Sequence, residues 1–247
     1  MAIDETLLQN VQPDWPIVLR IYRWDRPTLS LGHFQRIEDR IEHSLLRELP
    51  WVRRKTGGGA IVHDQELTYS VLIPNRDDFP AKGHSEPLYR AIHSAFVETF
   101  RLLGWNAELS ESCTCASLKR RNTEPFLCFL RRSPVDIIIG DVKILGSAQR
   151  RSTTGLLQHG SFLLRRSQWT PGLNGLLDTE KKSASLEKLW DETMVDASKD
   201  VRCDQVTEDE MNRWCELAIS TLKAGMAKSV DVSWKSGRLC DLIQKKG

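Results

Sequence analysis

The stretch RRKTGGGAIVHDQELTYS, residues 53–70, sets three consecutive glycines between a basic triplet and a His-Asp pair. Glycine lacks a Cβ, so its backbone reaches φ > 0 and can pass close to a ligand or to another strand. An alternating, β-rich run, LTYSVLI, follows and places Gly57, Gly58, Gly59 and His63 in or beside a sheet. Such a loop can cradle a phosphate, wall a slot for a flat or extended ligand, or simply turn. Two nucleotide-binding forms are excluded. The glycines do not match G-x-G-x-x-G and no helix opens directly after them, and no G-K-[ST] completes a P-loop.

The rest of the chain predicts strands interleaved with helices. Residues 2–10 read as a helix, PIVLRIYRW and TLSLGHF as two strands around the turn DRP, and IEDRIEHSLLREL as a helix that stops before Pro50. Trp51 to Arg54 is a short strand into the glycines. A long helix is expected from about Glu86 to Leu103, with Ser85 as its cap, Pro87 in its first turn and Gly104 at its end. VDIIIGDVKILGSAQ predicts a hairpin with Gly140-Asp141 as its turn, and GLLQHGSFLL the next strand. Beyond Ser167 the pattern is helical and charged, with capping-box spacing at 207–210, an apolar stripe from Met211 to Leu222 and a late strand at VDVSW. There is no repeat and no regular βαβ alternation. The expected class is α+β, a mixed and largely antiparallel sheet flanked by helices.

Hydrophobic residues make up 40% of the 247 and charged residues 28%, ordinary for a globular chain with a buried core. No apolar run is long enough to span a bilayer, and the acidic, amphipathic N-terminus is neither a signal nor a transit peptide. A cytoplasmic location without membrane association is the expectation. The six cysteines (113, 115, 128, 203, 215, 240) form no framework and read as reduced thiols. Cys113-x-Cys115 lacks the gap of a zinc pair, so no metal is expected. Net charge is only +2, but residues 119–166 hold ten Lys/Arg against three acids, leaving the remainder net negative. A concentrated positive field steers acidic partners, nucleic acid or an acidic carrier protein; paired arginines also simply decorate solvent-facing positions.

Taken together, RRKTGGGAIVHDQELTYS, VDIIIGDVKILGSAQRR and LQHGSFLL resemble the signature of the biotin/lipoate A/B protein ligase family, and more closely its single-domain cysteine octanoyltransferase branch. AIDETLL, RIYRWDRPTLSLGHFQ and the CF of Cys128-Phe129 belong to the same match, which covers most of residues 2–164. The resemblance implies one catalytic domain over residues 1–247, of the biotinyl/lipoyl protein ligase type, with 170–247 its mostly helical C-terminal part. An acyl tunnel would run beneath the glycine loop, which is then an acyl wall rather than a phosphate cradle. It also implies a reaction. Octanoyl-acyl carrier protein would give its acyl group to Cys128, and a lysine of a lipoyl domain would take it. Acceptors would be the lipoyl domains of 2-oxoacid dehydrogenase acyltransferase subunits and the glycine-cleavage H protein. No cofactor and no nucleic acid take part in that reading.

The residues support roles of unequal weight. A thioester is attacked by a thiolate, and nearby cations activate a thiol; Arg131, Arg132 and Lys143 would supply that field if the loop after Cys128 folds over the hairpin. Read alone, Cys128 is equally a small buried hydrophobe. The KILGSA match implies that Lys143 points into the site and holds the acyl carbonyl. Arg53, Thr56, Gly57, Gly58, Gly59, Ala60 and His63 would bind substrate on one side. Gly146, Ser147, Ala148, His159 and Gly160 would bind it on the other. Alternatives are octanoyl transfer between two lipoyl carrier domains, an ATP-dependent lipoate ligase that needs no cysteine, and a basic nucleic-acid-binding module.

Overall fold

A computed structural model describes residues 1–75, 86–102, 104–111 and 125–179. The expected cap Ser85, Leu103, every cysteine except Cys128, and the C-terminal helix and strand lie outside them. Strands β1 (Val18–Tyr22), β5 (Glu66–Pro74), β9 (Gly155–Leu163), β8 (Val142–Arg151), β7 (Ile137–Ile139) and β6 (Ala107–Leu109) form one sheet in that spatial order. All of its neighbours are antiparallel. A second sheet orders β3 (Trp51–Arg53), β2 (Thr28–Leu31) and β4 (Ile61–His63), with β2 parallel to β3 and antiparallel to β4. Helices α1 (Ala2–Asn10) and α2 (Glu86–Leu102) complete an α+β fold of the expected mixed, largely antiparallel kind. Among the described residues, no helix is long and apolar enough to cross a membrane.

Alternation along β5 sorts its side chains between two cores. Leu67, Tyr69, Val71 and Ile73 meet Ile92, Ala95, Phe96 and Phe100 of α2. Phe162 of β9 lies edge-on to Phe96 at 4.6 Å, a geometry worth about 0.5–1.5 kcal/mol beyond its buried area. Leu72 turns the other way, onto Leu7, Leu8 and Val11 at α1. Glu66, Thr68 and Ser70 share that second face and are buried too, so all nine positions of β5 are inside. An alternating strand usually leaves one face wet; here α1 and the small sheet cover it.

Two sequence expectations change. IEDRIEHSLLREL forms two 3₁₀ turns, Ile37–Glu42 and Ser44–Leu46, rather than an α-helix. Helices gain most of their stability by burying an apolar face. The first of these turns buries none of its residues, and Ile41 is left exposed. TLSLGHF leaves the sheet after Leu31, because Gly32 passes under the glycine loop: a Cβ there would lie 1.9 Å from the Gly58 carbonyl oxygen. The hairpin forms as expected, with Gly140 at φ +55° as the first residue of its two-residue turn.

Asp4 ties α1 to the sheet. Its carboxylate pairs with Arg20 and accepts from Tyr22 Oη and Ser70 Oγ, each at 2.7 Å. Burial pushes this carboxyl up, but Arg20, the two hydroxyls and the terminal amine outweigh it, and its pKa lies below the usual value. Removing one partner of such a pair costs about 3–5 kcal/mol, so Asp4→Ala is expected to lower Tm by roughly 10 °C near pH 7. A depressed carboxyl stabilises the fold above its unfolded pKa, and that stability is lost as pH falls through the folded value. The Tm gap between wild type and Asp4→Ala, followed by calorimetry, should therefore narrow below about pH 4.

Candidate active site

A cleft opens between the large sheet and the glycine loop. Gly146 and Ala148 of β8, His159 and Ser161 of β9 and Thr68 of β5 line the sheet side. Gly57, Gly58 and Ile61 face them, and Arg54, His63 and Cys128 complete the lining. The stretch around Cys128 is stitched to the loop by main-chain bonds. Ala60 N donates to Phe126 O (2.9 Å), and Cys128 N donates to Ala60 O (2.8 Å). Contact there is close enough that a Cβ on Gly59 would lie 2.8 Å from Cys128 N. This close approach, and φ +91° at Gly58, are what the run of glycines permits.

Of the basic triplet, the middle member enters the site. Arg53 is exposed, and its guanidinium donates to the carbonyls of Gly32, His33 and Gln35; it is not in the cleft. Arg54 is only 2% exposed. It donates to Ser30 O and Ser30 Oγ (both 2.8 Å), to Gly57 O (3.1 Å) and to Gly59 O (2.8 Å). Its Nε has no partner among the described residues. Burial brings the guanidinium down to about 10, with Cys128 opposing and Arg131 adding to that shift, so it stays charged at neutral pH. Strand periodicity carries the signal: Arg53 and Lys55 face out, Arg54 and Thr56 face in.

The loop after Cys128 does fold over the hairpin. Arg132 donates to the Asp141 carbonyl at the turn, and Lys143 reaches beneath Cys128. The Lys143 ammonium, 7% exposed, donates to Cys128 O (3.3 Å) and Arg131 O (3.1 Å) and pairs with Asp136 at 2.8 Å. All three of its protons are thus engaged, where the sequence reading has it free to meet a carbonyl. Asp136 is the partner that reading missed. Burial raises its pKa against the pull of Lys143. A β-bulge aims the lysine. The register of β7 on β8 shifts between Ile137 and Ile138, so Ile144 and Leu145 both enter the α2-side core while Lys143 comes to lie against Gly146; Gly146 lines the cleft, and the lysine lies outside that lining. A Cβ on Gly146 would come within 2.7 Å of Lys143 Cε. Just before Asp136, Val135 holds φ +70°, a conformation costing about 1–3 kcal/mol in a β-branched residue.

Both expected histidines line the cleft. His63 lies between Ser30 Oγ (Nε2, 2.7 Å) and Glu66 Oε1 (Nδ1, 3.0 Å) and stacks on Trp24 at 4.1 Å. Glu66 also accepts from Thr68 and Ser161. His159 Nε2 meets Thr56 Oγ1 at 2.6 Å, and its Nδ1 is without a partner among the described residues. Burial, then the Arg54 charge, pushes His159 down to about 3, so the ring is neutral. Ser147 and Gly160 also line the cleft. The Ser147 hydroxyl bonds Tyr69 Oη (2.5 Å) and His93 Nε2 (2.7 Å). Thr56 and Ala60 support the loop from within, both fully inside.

A family model for the lipoyl protein ligase A/B catalytic domain matches residues 1–211. The chain belongs to that family. It is 39% identical over 170 residues to octanoyltransferase LipM of Anoxybacillus flavithermus, covering 66% of this chain and 60% of that protein. To the LipM of Bacillus anthracis it is 32% identical over 241 residues, 94% of this chain and 82% of the relative. Among solved structures, protein Ta0514 of T. acidophilum with bound lipoic acid is similar in fold, with a TM-score of 0.60 at 22% identity, covering 92% of this chain and 79% of that one.

In this lipoyl protein ligase A/B domain the Lys143–Asp136 pair yields a stability prediction. Lys143→Met leaves Asp136 buried without its cation and is expected to cost about 3–5 kcal/mol in urea unfolding. The double variant Lys143→Met/Asp136→Leu should recover most of that loss, because two apolar side chains replace the pair. Additive losses in the two changes would show that the pair is not the unit of stability.

Proposed function

We propose that this protein transfers an octanoyl group from octanoyl-acyl carrier protein to a lysine of a lipoyl domain, through a thioester on Cys128. The placement of Cys128 carries the reading: the one thiol among the described residues, on the wall of the cleft, with the buried cations Arg54 and Lys143 set around its turn. Relatives named octanoyltransferase over 66% and 94% of the chain support it. The family match runs in one piece over residues 1–211 and supports a single catalytic domain. We place the reaction in the cytoplasm, with lipoyl domains of 2-oxoacid dehydrogenases and the H protein as acceptors. Octanoyl passage between two lipoyl domains uses the same thiol and differs only in the donor.

The chemistry follows from the groups in place. The Cys128 thiolate adds to the donor's thioester carbon, and the tetrahedral adduct collapses by expelling the carrier's thiolate, which takes up a proton. A neutral lysine amine of the acceptor then adds to the Cys128 thioester, loses a proton, and expels the Cys128 thiolate with formation of the amide. Each adduct carries an oxyanion. Lys143 donates its longest bond to Cys128 O, and exchanging that bond for the acyl oxygen would let the ammonium follow the charge. Gly146, Gly57 and Gly58 leave only backbone against the acyl chain. The mouth is basic: Arg150 reaches the Lys55 carbonyl at 3.5 Å, and Arg131 lies beside Gly59.

Incubation with octanoyl-acyl carrier protein, without ATP, should add one octanoyl mass that hydroxylamine removes and that Cys128→Ala lacks. Cys128→Ser should keep its fold and lose most turnover. Lys143→Ala should slow both half-reactions by on the order of a hundredfold or more, read by single-turnover kinetics. Wild-type turnover by Cys128→Ala, or activity only with free octanoate, ATP and magnesium, would overturn the covalent route.

A separate prediction concerns docking. Charge reversal at Arg150 and Arg151 should raise KM for acidic carriers and flatten its dependence on salt. Unchanged Michaelis constants in a folded variant would make those arginines ordinary surface.

A further inference from the structure

His93 of α2 is a buried histidine that the acyl-transfer chemistry leaves without a task. It donates or accepts at both ring nitrogens: Nδ1 lies 2.5 Å from Val135 O and Nε2 lies 2.7 Å from Ser147 Oγ. A carbonyl only accepts, so Nδ1 carries the proton and Nε2 accepts from the serine. Ser147 Oγ then accepts from Tyr69 Oη at 2.5 Å. Tyr69 Oη in turn accepts from Gln158 Nε2 at 2.9 Å, and Gln158 Oε1 accepts from Gln149 Nε2 at 2.7 Å. Tyr69 Oη also lies 3.3 Å from His93 Nε2, so the network gathers on the imidazole and leaves it through Nδ1–H to the carbonyl of Val135. There it ends on a β-branched residue at φ +70°, the residue immediately before Asp136.

We propose that His93 is a positioning residue: its Nδ1–H holds Val135 in the left-handed region so that Asp136 meets Lys143 beneath Cys128. This rests on the acyl-transfer reading for its effect on rate, but not for the geometry itself. Among the described residues, the Val135 amide donates to Ser110 O at 2.9 Å, and the turn that contains it is closed by Asp136 N on Ser133 O (3.2 Å) and by Ser133 N on an Asp136 carboxyl oxygen (2.7 Å). Without the imidazole, those bonds alone must hold a β-branched residue at positive φ, and any relaxation of Val135 would carry Asp136 with it. Burial keeps the ring neutral by drawing it down to about 4, the Val135 bond opposing and Lys143 adding, so the tautomer persists at working pH.

The test pairs a spectroscopic and a kinetic readout. Long-range ¹H–¹⁵N spectra of the full chain, assigned with His93→Gln, should show the Nδ1–H tautomer at His93; an Nε2–H ring would overturn the proposal whatever the enzyme does. His93→Leu should slow Cys128 acylation by on the order of tenfold to a hundredfold with KM for octanoyl-acyl carrier protein unchanged. His93→Asn, whose amide N–H can take the place of Nδ1–H, should recover most of that rate. Val135→Gly adopts positive φ without strain, so His93→Leu should cost far less in that background. Equal losses from His93→Leu in both backgrounds, or no recovery in a folded His93→Asn, would reduce His93 to core packing. Absence of any octanoyl adduct on wild type would remove the acyl-transfer reading, and the tautomer would then decide the proposal alone.

Discussion

Two buried cations govern how this cleft is built. A guanidinium or an ammonium removed from water must find acceptors or lose several kcal/mol, and few side-chain acceptors are within reach. Arg54 takes its acceptors from Ser30, Gly57 and Gly59, and Lys143 takes two of its three from Cys128 and Arg131. Most of those acceptors are main-chain carbonyls, so the charges fix backbone rather than other side chains. The glycine loop and the Cys128 turn are loops by conformation, yet their carbonyls are held from inside. This is why the glycines are needed where they stand: carbonyls at 57 and 59 turn inward onto one guanidinium only if the chain between them accepts φ +91°.

The bulge opposite Ile137 solves a second problem of the same kind. In a regular strand Lys143 and Gly146 would point to opposite faces, and either the lysine or the glycine gap would be lost to the α2-side core. One extra residue puts Ile144 and Leu145 together in that core and leaves the lysine stem to fill the space that Gly146 lacks a side chain to occupy. Lysine is expensive to bury, and the design answers with a carboxylate, two carbonyls and an aromatic face, Phe129, 5.6 Å away. The strain at Val135 belongs to the same arrangement, because it brings that carboxylate into line.

Much of this was legible in the sequence wherever the signal was local. Period-two alternation gave β5 and β9, Gly140-Asp141 gave the hairpin, and the apolar stripe with Gly104 gave α2. Cys128 and the glycine loop were found by their motif, and both border the cleft. What stayed hidden depends on partners far along the chain. Arg54 finds Ser30, Glu66 finds Ser161, and His93 finds Val135 and Ser147, and no spacing rule connects such pairs. The short strand at 51–54 is legible, but which arginine of the triplet faces inward is set by Ser30 and the glycine carbonyls, and the strand alone does not show that. Lys143 is legible as a motif residue, but its three engaged donors depend on a register shift that periodicity does not reveal. The region 37–46 failed for the opposite reason: its helical pattern was local and real, but the first turn buries none of its residues fully, and only Ile37 leans on a core cluster.

The same features bear on why one cleft can serve two successive half-reactions in the proposed route. Donor and acceptor would both be large proteins, and a cleft lined by these few side chains takes in only a side chain or a prosthetic arm of either. Only the acyl chain and the reacting atoms need to enter, and they meet the same carbonyl site in both steps if the acyl group stays on Cys128. The geometry that must be preserved between carriers is therefore the Cys128 turn and the ammonium below it. Those are the parts held by main-chain bonds to Ala60, by the Asp136 pair and by carbonyls at 128 and 131. Recognition of the carriers is left to the exposed basic rim, where long, solvated arginines can meet two differently shaped acidic surfaces without disturbing the site. A rigid, buried reaction centre beneath an adaptable charged mouth is what an enzyme needs when its chemistry is constant and its partners change.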